Sequence, residues 1–360
     1  MASATFPLPP MKLLQVFFVG RAEGGGHAHA RSLEGGLKRR GIEARCVCVL
    51  RSPDTPADGW TTLVRTASPW PLVVPLALLK TFALIRAERP DAVISHTPAA
   101  SLLVHPIGWL CGVKERVSIH HAPLTRWSRF SRLLRLLDLV YGSSGLTTST
   151  VMVGEMGVRD VSRFPARYRR RVSLIHNEVS PPAVESPVSR TEFGVDSERL
   201  LLAFVGRRTI AKGADLAARL AAKMEHATIV MAGEAGDADG VIESAVSSGA
   251  DIRTLGQVDR VTVARLMRVA DVLLFPSREE MRPMSVLEAI SSGLPIVARD
   301  LPELRELIPS EAGVLVSGDE TQVWSDAIEA ARTRDRAAPD RVSGADRFER
   351  MLDEYVELLN

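Results

Sequence analysis

The stretch ADVLLFPSREEMRPMSVLEAISSGLPIVARD, residues 270–300, contains a complete strand, loop, helix and strand unit. Its apolar run at 272–275 has the length and bulk of a buried parallel strand, and Pro276-Ser277 ends it. Pro283 suits a first helical turn, where its missing N–H would be unpaired anyway. Good helix formers follow over 284–290 until Gly293-Leu294-Pro295 stops them. Two carboxylates eight positions apart, Glu280 and Glu288, fall in front of this helix and in its second turn, bordering one positive dipole end. With the backbone N–H groups of Met284 and Ser285, that end offers a place for an anion.

Working outward, the same alternation fills the second half. Strands are expected at 200–205, 228–232, 252–255 and 313–316, with helices at 213–224, 240–247, 261–269 and 323–331. The first half repeats the plan, with strands at 13–19, 46–50, 91–95, 116–120 and 172–175 and helices at 28–40 and 98–110. Strict alternation of this kind means parallel doubly wound sheets with right-handed crossovers. The composition of 177–197, with Pro181, Pro182 and Pro187, is that of a linker. The expected division is therefore a first domain at 1–178, a linker at 179–198, a second domain at 199–342 and a terminal helix at 343–360 that can cross back to the first domain.

Two features of the first half carry chemistry. The glycine-rich RAEGGGHAHA at 21–30 lacks G-x-G-x-x-G in register, which argues against a dinucleotide cofactor. Its Gly25 and Gly26 are either points of close backbone approach to a substrate or parts of a plain tight turn. His120-His121 closes the strand at 116–120, at the edge where open parallel sheets bind ligands; packing or capping is the other reading.

Composition narrows the classes further. A chain of 360 residues with 46% hydrophobic and 24% charged residues is an ordinary globular protein of two domains. Three cysteines, Cys46, Cys48 and Cys111, form neither a disulfide framework nor a metal cluster, which points to a reducing cytoplasm. The opening MASATFPLPP lacks the order of a signal peptide. The net charge of +2 hides an asymmetry: residues 1–180 hold 24 Lys and Arg against 12 Asp and Glu, leaving 21 against 31 for the rest. A basic half suits an anionic partner such as phospholipid head groups or a phosphorylated acceptor, unless it reflects arginine-rich coding bias.

Residues 71–85 are apolar but too short to span a bilayer, so they read as a buried or membrane-lying helix. Trp127, Phe130, Leu134 and Leu137 share one helical face with Arg132 and Arg135 opposite, and a second basic run at 163–171 interleaves Phe164 and Tyr168. These stretches lie either on an anionic membrane or on the sheet with their arginines solvated. No nucleic-acid module surrounds them, so no nucleic-acid partner is expected.

The segment GRRTIAKG, residues 206–213, follows the second domain's first strand and opens its first helix. Gly206 starts the turn, and Arg207 and Lys212 put two cations at the sheet edge where Glu280 and the anion-binding helix start also lie. Two fixed positive charges plus backbone N–H groups make a diphosphate site, and Glu288 can accept hydrogen bonds from ribose hydroxyls. A nucleotide in a cleft between two Rossmann-like domains is the ligand that this combination implies.

GR-x4-KG, the G-x2-G of Gly233 and Gly236, ADVLLFPS, and E-x7-E leading into LEAISSGLPIVA closely resemble the family 4 nucleotide-sugar glycosyltransferases. The glycine-helix unit, PDAVISH at 90–96, IHHAP at 119–123 and LIHNEV at 174–179 resemble the same family's first domain. The resemblance covers nearly the whole chain and implies the GT-B architecture, two Rossmann-like doubly wound domains facing an interdomain cleft. It implies that Arg207 and Lys212 bind the donor diphosphate, that Glu288 holds the ribose and that Glu280 contacts hydroxyls of the donor sugar. His121 would stand near the anomeric centre, with His120 as the alternative. It implies retention of configuration without a metal or other cofactor, in agreement with the lack of a DxD motif in a suitable loop.

The expected function is thus transfer of a hexose from a nucleoside diphosphate to a glycan or lipid-linked acceptor in cell-envelope polysaccharide or glycolipid synthesis. The expected place is the cytoplasm, with a peripheral position at the inner face of the membrane as a candidate. A nucleotide-sugar epimerase and a non-catalytic nucleotide-sugar or lipid-binding protein are the alternatives. Two departures from the family pattern are Met281-Arg282-Pro283, where many members have glycine and a bulky apolar residue, and Glu178 in place of a frequent glycine. Arg282 is a candidate reader of sugar or acceptor.

Overall fold

The computed structural model describes residues 11–20, 25–51, 60–64, 70–121, 131–179, 182, 184, 186–334 and 344–360. They divide into two units, Met1–Asn177 with Glu349–Asn360, and Glu178–Phe348.

Among the described residues of the first unit, seven parallel strands form one sheet. They are β1 (Lys12–Gly20), β2 (Glu43–Arg51), β3 (Thr61–Val64), β4 (Ala92–Ser95), β5 (Glu115–His120), β6 (Ser149–Met152) and β7 (Val172–Leu174), in the order 3-2-1-4-5-6-7. Alternation along β1 and β2 builds two faces. Leu14, Val16, Val47 and Val49 meet the helices Trp70–Glu88 and Pro98–Leu110, while Phe17, Cys46 and Cys48 meet Ala30 of the helix Gly25–Arg39. That helix starts at Gly25, three residues before the expected 28, so Gly25 and Gly26 are its first residues rather than loop. Strands β3 and β6 escape the sequence reading. β3 is paired to β2, and β6 lies between β5 and β7, which supply its pairing.

The end of the helix Gly344–Leu359 packs in the first unit. Arg40 holds Glu349 at 2.8 Å, His29 Nε2 lies 3.3 Å from the Tyr355 hydroxyl, and Gly36 leaves room for Leu352.

The second unit has six parallel strands among its described residues: β8 (Leu200–Val205), β9 (Ala227–Ala232), β10 (Ile252–Gly256), β11 (Val272–Phe275), β12 (Ile296–Arg299) and β13 (Gly313–Val316), ordered 10-9-8-11-12-13. Trp324 is wholly buried in its core with Leu216, Leu220, Leu274 and Ile328, and donates its indole N–H to the Gly318 carbonyl at 3.1 Å. The later part of the expected linker is built into this unit. Ser189 and Glu192 form a capping box, Phe193 is buried, and Arg190 donates to Asp271 at 2.5 Å.

The candidate membrane stretches were open to two readings, lying on a membrane or packed on the fold. Phe164 and Tyr168 of the 163–171 run are buried at 8% and 1% exposure, so this run packs on the fold. On the helix Ser131–Ser144, Arg135 lies over Phe164 at 5.0 Å and 3.8 Å from Asp160, while Leu133, Leu136 and Val140 are exposed. Apolar side chains are thus exposed on that helix, which the sequence reading did not single out. Trp127 and Phe130 lie outside the described residues. No helix among the described residues is long and apolar enough to cross a membrane.

Candidate functional site

In the second unit the order of strands reverses between β8 and β11, whose Leu202 and Ala203 pair with Val272 and Leu273. The two loops leaving that point must therefore run side by side, at the place where open α/β sheets bind ligands. Thr209 caps a single turn at Ile210–Lys212, accepting from the Lys212 N–H, and Gly213 ends it at φ 74°. A Cβ on Gly213 would lie 2.3 Å from the Pro276 carbonyl oxygen, so only glycine allows this approach. The Arg278 N–H donates to the Ala211 carbonyl at 2.9 Å and the Ser277 hydroxyl to the same oxygen at 3.4 Å. This stitching brings Lys212 Nζ to Glu280 Oε1 at 2.6 Å, across 68 positions of sequence. Beneath the 206–208 backbone, a Cβ on Gly233 would meet the Gly206 carbonyl oxygen at 1.9 Å, which accounts for the first glycine of G-x2-G.

The two arginines of GRR have opposite duties. Arg208 donates to both carboxylate oxygens of Asp239, at 2.7 and 3.2 Å, and to the Gly233 carbonyl at 2.9 Å. That hydrogen bonding holds the Asp239 carboxyl below the usual range. Arg207 is exposed and has no side-chain hydrogen bond or ion pair among the described residues. Of the two arginines it is the one not committed to a partner among the described residues.

The helix Met284–Ser291 begins at Pro283 without a side-chain cap, leaving the N–H groups of Met284 and Ser285 to other acceptors. Buried Met281 and Met284 anchor its start. Glu288 lies 3.3 Å from Arg260, a cation the sequence reading did not single out because no motif marks it. Arg282, the candidate reader of sugar or acceptor, has an ionic partner within the second unit. Its guanidinium donates to the buried Glu178, which Arg347 also approaches at 3.6 Å. The two departures from the family pattern are thus partners, and a buried carboxylate keeps a countercharge.

In the first unit, the His120-His121 doublet splits between two environments. His120 is buried within a polar chain. Tyr168 donates to Asp138 at 2.6 Å, His120 Nε2 lies 3.3 Å from Asp138 and 3.2 Å from Ser118, and Ser118, Ser101, Ser95, His105 and Thr147 continue in steps of 2.7–3.0 Å. This network fixes strands and helices to one another. His121 stands instead beside Gly26, where a Cβ would come within 3.2 Å of its ring, and its Nε2 meets His96 Nδ1 at 3.1 Å. His96 ends the PDAVISH motif and had no assigned role.

Residues 23–181 match the family model described as Glycosyltransferase Family 4, and residues 199–333 match that described as Glycosyl transferases group 1. A D-inositol 3-phosphate glycosyltransferase of Mycobacterium tuberculosis is 32% identical over 170 residues, which are 44% of this chain and 35% of that protein. The match thus spans about a third of that relative's length. Anabaena HepE, solved in complex with UDP and glucose, is similar with a TM-score of 0.78 at 16% identity, over 97% of this chain and 99% of that one. Sucrose-phosphate synthase from Thermosynechococcus elongatus has a TM-score of 0.75 at 16% identity, over 97% and 98%. At such identities the likeness concerns the fold, which is the GT-B class of two parallel-sheet α/β domains.

Two outcomes follow from the side-chain environments. Arg208→Ala should lower stability by about 1–3 kcal/mol, because it removes the guanidinium donors to a carboxylate and to a carbonyl, whereas Arg207→Ala should stay within about 0.5 kcal/mol. Urea unfolding of both variants checks this, and equal losses would refute the division of duties. Burial also takes His29 and His105 down to about 3 from the ordinary 6.5. Between those values the unfolded chain binds protons that the folded chain refuses. Stability is therefore full above pH 6.5 and falls as the pH drops, by about 1.4 kcal/mol per pH unit for each ring. Urea midpoints that do not move between pH 7.5 and pH 5.5 would contradict it.

Proposed function

Because the chain belongs to the family 4 glycosyltransferases, we propose that it transfers a hexose from a nucleoside diphosphate to a hydroxyl of a glycan or lipid-linked acceptor, with retention of configuration. The observation that carries this reading is the grouping of unpartnered Arg207, the Lys212–Glu280 pair and the uncapped start of Met284–Ser291 beside one reversal of strand order. Cleavage of the sugar–phosphate bond moves an electron pair onto the departing diphosphate. Arg207, Lys212 and the N–H groups of Met284 and Ser285 are charges and dipoles already in place for that anion. Glu280, held by Lys212, is positioned to accept from sugar hydroxyls, and Glu288, steadied by Arg260, from ribose hydroxyls. His121 is assigned to the sugar end of the donor and the first domain to the acceptor. This chemistry asks for no metal ion: the positive charge comes from the protein.

A membrane-bound acceptor is supported by the first unit's surface. Leu133, Leu136 and Val140 are 54%, 55% and 48% exposed at helical spacing, and Val74, Leu78, Leu79 and Phe82 are exposed on the helix Trp70–Glu88. Trp109 and Leu110 add 58% and 68% at the end of Pro98–Leu110. Apolar helix faces on the basic half of the chain suit a peripheral place on an anionic leaflet.

Lys212→Ala should lower kcat by about two orders of magnitude or more at saturating donor, measured with the nucleotide sugar that stabilises the protein most in a thermal-shift panel. Unchanged turnover would reject the role of Lys212. Isomerisation of the donor without acceptor would favour an epimerase, and donor binding without transfer a non-catalytic protein. For the membrane, sedimentation with phosphatidylglycerol vesicles should weaken as salt is raised and with Leu133→Glu/Leu136→Glu. Equal binding to phosphatidylcholine vesicles at all salt concentrations would refute the anionic-surface reading.

A further inference from the structure

The rings around Gly26 are joined by hydrogen bonds whose direction can be assigned link by link. Gln15 is wholly buried, and its Nε2 lies 3.2 Å from the Ala30 carbonyl oxygen. A carbonyl only accepts, so the Gln15 amide cannot be turned over, and its Oε1 is the atom 2.8 Å from His96 Nε2. Since Oε1 also only accepts, His96 Nε2 carries a proton. Burial keeps the His96 ring neutral, its pKa well below the ordinary value, which leaves a lone pair on Nδ1.

That lone pair faces His121 Nε2 at 3.1 Å. The two rings are within 9° of parallel with centroids 5.4 Å apart, a separation that fits rings meeting edge to edge along the N–H···N line. His121 Nε2 is therefore the donor. Burial holds this ring neutral as well, so its Nδ1 is an acceptor, and that atom is buried without a hydrogen-bond partner. The ring planes are held from several sides. Phe17 lies against His96 at 4.5 Å and 2°, His29 meets His121 edge-on at 5.4 Å, and Gly26 admits the His121 ring against its helix start.

We propose that Gln15 and His96 are positioning residues that set His121 in the Nε2–H tautomer, so that its Nδ1 is an obligatory hydrogen-bond acceptor. Such an atom is matched to a ligand hydroxyl and mismatched to a phosphate oxygen, which has no proton to give. Positioning of this kind acts as in other sites where a neighbour sets the tautomer of a working imidazole. The tautomer itself stands on the first unit's geometry; its effect on turnover rests on the transferase reading above.

The test is a long-range proton–nitrogen spectrum of the full chain with 15N-labelled histidine, with His121 assigned from its absence in His121→Gln. The wild type should show His121 protonated at Nε2 and bare at Nδ1. His96→Asn keeps an acceptor near the lost Nδ1 and should preserve that pattern. His96→Leu and Gln15→Leu should move His121 toward the other tautomer and lower kcat by about tenfold or more, with His96→Asn restoring most of the loss. A wild-type His121 protonated at Nδ1, or a His121 unchanged in both leucine variants, overturns the proposal. Should the leucine variants fail to fold, the wild-type and His96→Asn spectra decide it. The assigned tautomer in a protein that transfers no sugar would sink the transferase reading and leave the positioning intact.

Discussion

The close passage of two backbones at Gly213 is the constraint on which the second unit's site depends. Strands β8 and β11 are neighbours, so the loops that leave them share one edge, and they fit only because no side chain stands between Gly213 and the Pro276 carbonyl. Once the loops are in register, the backbone of 211 takes hydrogen bonds from 277 and 278, and Lys212 reaches Glu280. Arg278 braces the same junction from outside by holding Asp215 at 2.6 Å and Asp319 at 2.9 Å. These hydrogen bonds and ion pairs orient the charged groups of the junction within the fold itself, as the proposed stabilisation of a developing anion asks.

The first unit uses its polar residues differently. Two continuous buried networks run through it, one through His120 and Asp138, the other through Gln15, His96 and His121. Burying so many hydrogen-bonding groups is tolerable only when their partners are present, and along the first network His120 Nδ1 alone is buried without one. The second ends in a bare acceptor on His121. Adjacent residues at the end of β5 thus join different networks, because successive side chains leave a strand on opposite faces.

The departures from the family pattern show a related economy. Glu178 and Arg282 each looked like an isolated substitution and are a buried ion pair, with Arg347 as a third member. The pair ties the loop carrying Glu280 to the residue at which the chain enters its second unit. Removing one partner of such a pair leaves an uncompensated charge, which is why two unusual residues occur together.

The sequence by itself determined the fold class, the family and the candidate site residues. Alternating strands and helices, helix stops and glycine motifs are local patterns, written in adjacent residues. Of the strands, only β3 and β6 were invisible, and it is their pairing with β2 and with β5 and β7 that makes them strands. The pairing of Lys212 with Glu280, which of His120 and His121 stands beside Gly26, and which of Arg207 and Arg208 is spent on Asp239 were decided only by the tertiary structure. Strand order joins residues as far apart as Lys212 and Glu280, and partners at such distances leave no mark in the residues beside them.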